Sequence, residues 1–327
     1  MDKVERVFRV IEGCRPDRVP VSFWHHFADD QVCGSAAVAA HVDHVKAFDL
    51  DFLKVMNDNG YPHEGPIRTV RELAALGELN GEEPPFARQL DLIADLKRRL
   101  GGQMLMTTTV FNAWATLRQL VREKLPGHHP PNLDASQDPP TATLLRFHEE
   151  DPPTVKAAIQ AVGASLSRFA GRCIEAGADG IFMSVRDDWL DGRDGEGPRY
   201  DDLVRDSDRA ILSAVASARF NMLHVCGKAV NFRAFAEYPV QVINWADRAA
   251  GPAIGEVKDW IKPAICGGVD NLSTLPQGTA EQVAEQVADA LRQAAERPIM
   301  ISAGCTYDPA RVPGLNLKAI CRAARRP

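Results

Sequence analysis

Short runs of apolar, β-branched and aromatic residues recur along the chain. Most are followed by stretches whose apolar residues return every three to four positions. Such runs suit strands buried on both faces, and the longer period suits helices with one apolar stripe. Eight runs read as strands: Val19–Trp24, Asp51–Met56, Met104–Val110, Gly180–Val185, Phe220–Cys226, Val240–Ala246, Ala264–Val269 and Ile299–Cys305. Between the later ones, a helix starting near Thr154 stops at Gly177, and another is capped by Thr279. Strands alternating with helices imply parallel pairing and right-handed crossovers. Eight units predict an α/β fold, a (β/α)8 TIM barrel, as one domain over residues 1–327. Two stretches exceed the minimal repeat: Asn57–Gln103 after strand 2, and the Pro-, Asp- and Ser-rich segment Glu123–Thr143 after strand 3. The second, which holds His128 and His129, reads as a lid or an oligomer contact, the chain being expected as a monomer or homodimer.

Composition narrows the function more than the fold. With 45% hydrophobic and 25% charged residues among 327, the chain can bury a large core. A formal charge of −6 argues against general nucleic-acid binding. There is no apolar run of membrane-spanning length and no apolar leader after Met1, so a cytoplasmic protein without membrane association is expected. Seven scattered cysteines then read as thiols or metal ligands rather than a disulfide framework.

In such a barrel the chemistry lies at the carboxyl ends of the strands. There the sequence places Trp24, His25 and His26; Asn57, Asp58 and Asn59; Phe111; Arg186, Asp187, Asp188 and Trp189; His224, Cys226 and Lys228; Asn244 and Trp245; Asp270; and Cys305. Polar and aromatic groups at nearly every mouth favour an enzyme or ligand-binding barrel acting on a small molecule. His224 and Cys226 are two apart on a strand and share a face. Alone, such a pair is more often chance than a metal site. Cys305, ending the last strand, would bring a second thiolate to the same cavity. One imidazole and two thiolates suit Zn²⁺, with a fourth position left for substrate. Cys266 falls too early in its strand, Cys14, Cys173 and Cys321 lie in helical patterns, and Cys33 lies in a loop.

The remaining candidates carry weaker signals. His25 and His26 alternate sides, so at most one faces the cavity, as a general acid or base. Asn57 and Asp187 are catalytic candidates whose plainer roles are a helix cap and a solvated flap. Asn244 and Asp270 are candidates for substrate binding or for support of the groups that bind it. Trp24, Phe111, Trp189 and Trp245 would furnish an apolar pocket, or only packing.

The segments "ERVFRVIEGCRPDRVPVSFW", "EAGADGIFMSV", "LHVCGKAVNF" and "SAGCTYDPARVPGLNLKAICRAAR" resemble the uroporphyrinogen decarboxylase superfamily over nearly the full length. That resemblance implies a (β/α)8 barrel. The metal-free decarboxylases carry an arginine-rich RQAGRY-type motif near strand 1. Here the place reads "SFWHHFADD", so porphyrinogen carboxylates would meet Asp29 and Asp30. The motif H-x-C followed by a late cysteine is similar to that of the zinc-dependent methylcobamide:coenzyme M methyltransferase branch, and His224, Cys226 and Cys305 match it in order. The resemblance implies zinc, a thiol acceptor and a methyl donor such as a corrinoid supplied by a partner protein. Arg186 or Lys228 would hold an acidic group of the acceptor. Two alternatives stand beside it: a metal-free carboxy-lyase and a non-catalytic tetrapyrrole-binding barrel.

Overall fold

The computed structural model describes residues 1–122, 139–186, 199–227 and 231–325. Seven parallel strands form one curled sheet in sequence order: β1 Phe52–Val55, β2 Leu105–Phe111, β3 Gly180–Val185, β4 Met222–Val225, β5 Val242–Trp245, β6 Ala264–Val269 and β7 Ile299–Ala303. Helices link them, as parallel pairing requires. Seven of the eight expected strands are present, most of them shorter than their apolar runs.

The closed eight-stranded barrel is not formed. Val19–Trp24 contributes isolated bridges, Val21 to Ile301 and, just beyond the run, His25 to Tyr307. The segment still lies between β7 and β1, because Ser22 N donates to Ile301 O and Asp51 N donates to Val21 O. Two features stop it from becoming a regular strand. Pro20 has no N–H to give to a ladder. The N–H of Val21 is taken by the Asp51 carboxylate at 2.9 Å instead of a neighbouring strand.

Asp51 is fully buried and also accepts from Arg6 Nη1 at 2.8 Å and Arg18 Nη1 at 2.7 Å. This cluster ties the helix Lys3–Ile11, the irregular segment and the start of β1 together. A buried charge needs such pairing, because desolvation alone would cost several kcal/mol.

The expected insertion after strand 2 contains the helices Val70–Ala74 and Pro84–Leu100, so part of it is the ordinary crossover to β2. Most of the second insertion, with His128 and His129, lies outside the described residues. The helix Pro152–Glu175 begins on the Asp151 cap and is followed by Gly177 at φ 112°. Thr279 caps the helix Ala280–Ala294 in a reciprocal capping box with Gln282.

Two apolar clusters sit on opposite sides of the sheet. The larger packs helices on the outer face. The smaller gathers Phe52, Leu105, Phe182, Met222, Val242, Cys266 and Met300 on the inner face, with Val7 and Val10 of the first helix below. Farther along the same strands the inner face turns polar, at Lys54, Thr109, Ser184, His224, Asn244 and Ser302. That change of character marks the carboxyl-end site. No helix among the described residues is long and apolar enough to cross a membrane.

Candidate metal centre and its cavity

His224 is the third residue of β4 and Cys226 follows the strand's end. The Cys226 N–H donates to Val185 O at 2.9 Å, which keeps the backbone in line with β3 for one more residue. Gly227 then turns away at φ 126°, a conformation that favours glycine. Cys305 lies two residues beyond β7, after Gly304. A Cβ on Gly304 would stand 2.7 Å from Ala246 Cα, so the close approach of the two loops requires glycine. The donor atoms of His224, Cys226 and Cys305 all fall within 4.8 Å of one another.

Register explains how the imidazole is held. His224 pairs with Asn244 across β4 and β5, so their side chains rise from the same row. Asn244 Oδ1 accepts from His224 Nδ1 at 2.6 Å, while Asn244 Nδ2 donates to Cys266 O at 2.8 Å and to Ser302 Oγ at 3.1 Å. Because the amide nitrogen faces a carbonyl oxygen, the amide oxygen must face the ring. That assigns the proton to Nδ1 and leaves a lone pair on Nε2. Nε2 is buried and has no hydrogen-bond partner. An orphaned ring nitrogen beside two sulfurs fits a soft, four-coordinate cation such as zinc.

Electrostatics agree with ligation. Cys226 hydrogen-bonds to the Cys305 sulfur, and against the opposing effect of burial this bond and the Lys54 charge help hold that thiol well below its usual range. Burial instead pushes Cys266 up to about 12, and it lies mid-strand in β6. It stays outside the triad, as its early strand position suggested.

The triad lines a cavity of about 640 Å³. Trp24, Asn57, Asp58, Phe111 and Arg186 from the expected set also line it, as do Lys54, Phe182 and His26. His26, rather than His25, faces this space, and its Nδ1 lies 2.6 Å from Asp58 Oδ1. Burial pushes the Asp58 carboxyl up, but the His26 hydrogen bond and charge hold it below the usual range. His25 packs among Phe27, His44 and Tyr307, with Nδ1 against His26 O at 2.7 Å. Asn57 donates from Nδ2 to Thr109 O at 3.2 Å.

Asn244 is fully buried and spends its amide on His224 and the neighbouring backbone, so it acts through the histidine. Asp270 accepts from the N–H groups of Leu272 and Ser273, closing a turn beside the cavity, whose wall takes Asn271 and Leu272. Trp245 is core: Nε1 donates to Pro252 O and the ring packs on Phe232. Asp187, Asp188, Trp189 and Lys228 lie outside the described residues.

Two features escaped the sequence reading. Arg118 and Arg122, one turn apart, and the distant Arg311 line the cavity beside the expected Arg186, so three separate segments bring arginines to it. Lys54, on the inner face of β1, lies 4.1 Å from the centroid of the Phe182 ring and 5.2 Å from that of Trp24. Its signal was present: a lysine between Phe52 and Met56 at strand spacing, in an otherwise apolar run.

The family model of uroporphyrinogen decarboxylase (URO-D) matches residues 53–327. No curated protein sequence matches the chain. Among solved structures, a methyltransferase from Methanosarcina mazei aligns with a TM-score of 0.69 and 14% identity, over 99% of this chain and 98% of that one. A B12-independent methionine synthase from a Shewanella species aligns at a TM-score of 0.47 and 12% identity, over 71% of this chain and 65% of that one. A putative vitamin-B12 independent methionine synthase from Listeria monocytogenes gives 0.46 and 11%, over 72% and 68%. At such identities the likeness is one of fold. The family match, in contrast, runs from β1 past Cys305 to the end of the chain, and it makes this protein a member of the uroporphyrinogen decarboxylase family.

Proposed function

We propose that the protein is a zinc-dependent transferase that moves a methyl or other alkyl group from a small molecule or a corrinoid to a thiol. The observation that carries this reading is the orphaned Nε2 of His224, set by Asn244 beside two cysteine sulfurs on a cavity wall. His224, Cys226 and Cys305 would hold the ion. Zinc bound there would lower the pKa of a substrate thiol and supply a thiolate nucleophile at neutral pH. The fold-mate from Methanosarcina mazei is itself a methyltransferase, which agrees with this reading.

The chain's own residues have distinct parts in it. Asn244 fixes the histidine's tautomer and direction. Trp24, Phe111 and Phe182 supply apolar wall for the alkyl group. The His26–Asp58 pair borders the cavity with Nδ1 2.6 Å from Oδ1 and is placed to take the thiol proton. Arginines on the wall suit an acidic group on the acceptor or donor. A methyl-corrinoid would arrive on a partner protein. In this scheme His25, Asn57 and Asp270 shape the site around the reacting groups.

The arginines also favour a second reading, a metal-free carboxy-lyase acting on a carboxylated substrate. Metal content separates the two. The transferase reading expects about one zinc per chain, lost in Cys226→Ser and Cys305→Ser. It also expects methyl transfer from methylcobalamin to a thiol that stops with the metal. A zinc-free protein whose activity survives both substitutions refutes it.

A further inference from the structure

Lys54 is the strongest feature that the proposed chemistry leaves unused. Its side chain is 5% exposed, borders the cavity, and rests on the faces of Phe182 and Trp24. Phe182 in turn stacks on His224, with ring centroids 5.4 Å apart. Among the described residues no hydrogen-bond acceptor reaches Nζ, yet an ammonium taken out of water normally finds one. Two aromatic faces offset part of that deficit, but they supply no counter-charge.

The charged and titratable groups that face Lys54 are Cys305, Asp58 and Cys226, with His26 behind Asp58 and Arg186 farther along the wall. Asp58 is already engaged by His26. The two sulfurs are the remaining nearby anions, and a divalent cation on them would cancel both charges. Metal loading would therefore leave the buried ammonium beside the site with its counter-charge removed.

Resting on the transferase reading above, we infer that Lys54 is the counter-charge for the substrate's sulfur, a positioning residue that makes the loaded site select a thiolate over neutral ligands. A centre with one histidine and two thiolates is neutral once zinc or cobalt is bound. A third thiolate makes it an anion in a largely buried setting, and Lys54 returns the sum to zero. A thiol bound there would give up its S–H proton to water or His26 and keep the bonding pair on sulfur, leaving the anion that Lys54 would balance. Burial lowers Lys54 to about 8 in the metal-free site, against the opposing pull of Cys305, Asp58 and Cys226, and a substrate thiolate would restore the pull that a metal takes away.

The test uses the full chain loaded with cobalt in place of zinc and 2-mercaptoethanol as the probe. The near-ultraviolet charge-transfer band of sulfur on cobalt is followed against pH. In Lys54→Met the pH midpoint for thiol binding should rise by about one unit, equal to roughly tenfold weaker binding at a fixed pH below it. Lys54→Gln, polar but uncharged, should follow Lys54→Met. Cobalt stoichiometry should stay at one per chain in both variants, because Lys54 is not a ligand. An unchanged midpoint in either cobalt-loaded variant overturns the inference alone. A parent chain that binds no cobalt overturns the transferase reading and this inference with it.

Discussion

Replacing Asn244 by alanine separates metal binding from mere proximity of three donors. Asn244 is fully buried and makes a 2.6 Å hydrogen bond to His224 Nδ1, so its loss removes the group that fixes the imidazole's tautomer and direction. Outer partners of this kind are worth roughly 10- to 100-fold in metal affinity, about 1.4–2.7 kcal/mol. The same change strands the His224 Nδ1–H and the Cys266 carbonyl, which Asn244 Nδ2 reaches at 2.8 Å. At about 1–3 kcal/mol for each unsatisfied buried group, the fold should lose about 2–6 kcal/mol. Zinc affinity is read by competition with a chromogenic chelator, and stability by urea unfolding of metal-free protein. Asn244→Asp is the control. Its carboxylate still accepts from Nδ1 but cannot donate to Cys266 O, so it should keep more zinc affinity than Asn244→Ala despite a weakened fold. A folded Asn244→Ala protein whose zinc affinity stays within about threefold of the parent refutes the role given to Asn244.

Two further outcomes follow from buried carboxylates. Asp51→Asn leaves Arg6 and Arg18 facing a neutral amide in a closed cluster, and should cost about 3–5 kcal/mol in urea unfolding. A loss below about 1 kcal/mol would show that the cluster is dispensable. Asp208 is fully buried among Tyr200, Tyr238 and Asn112, and burial pushes its carboxyl up to about 6 despite their hydrogen bonds. A carboxyl raised in the folded state stabilises most below its unfolded value near 3.8, and that contribution is lost as pH rises through about 6. Asp208→Asn should therefore remove a fall in stability between about pH 4 and 6 that metal-free wild type shows. Parallel pH profiles of the two proteins would contradict the assignment.

The seven strands that form were readable because a parallel strand covered on both sides must be apolar almost throughout. The eighth run has the same composition, and composition could not show that Pro20 lacks a donor where β7 needs one, or that Asp51 takes the Val21 N–H. The metal triad was legible because its spacing places His224 and Cys226 on one face and Cys305 at another strand's end. His25 and His26 were legible only as a pair, since alternation does not say which faces inward where the strand is irregular. Asn244 was noticed as a strand-end polar residue, but its role depends on the register of β4 against β5. Trp245, one residue later, turns to the outer core for the same reason.

The sequence by itself determined the alternation of strands and helices, the parallel sheet and the three candidate metal ligands, because each is written in local spacing. Tertiary structure decided the rest. It brought arginines from three separate segments to one cavity. It buried Lys54 over Phe182 and set Asn244 behind His224. Those relations depend on how neighbouring strands slide past one another and how the sheet curls, which side-chain order along one chain does not encode locally.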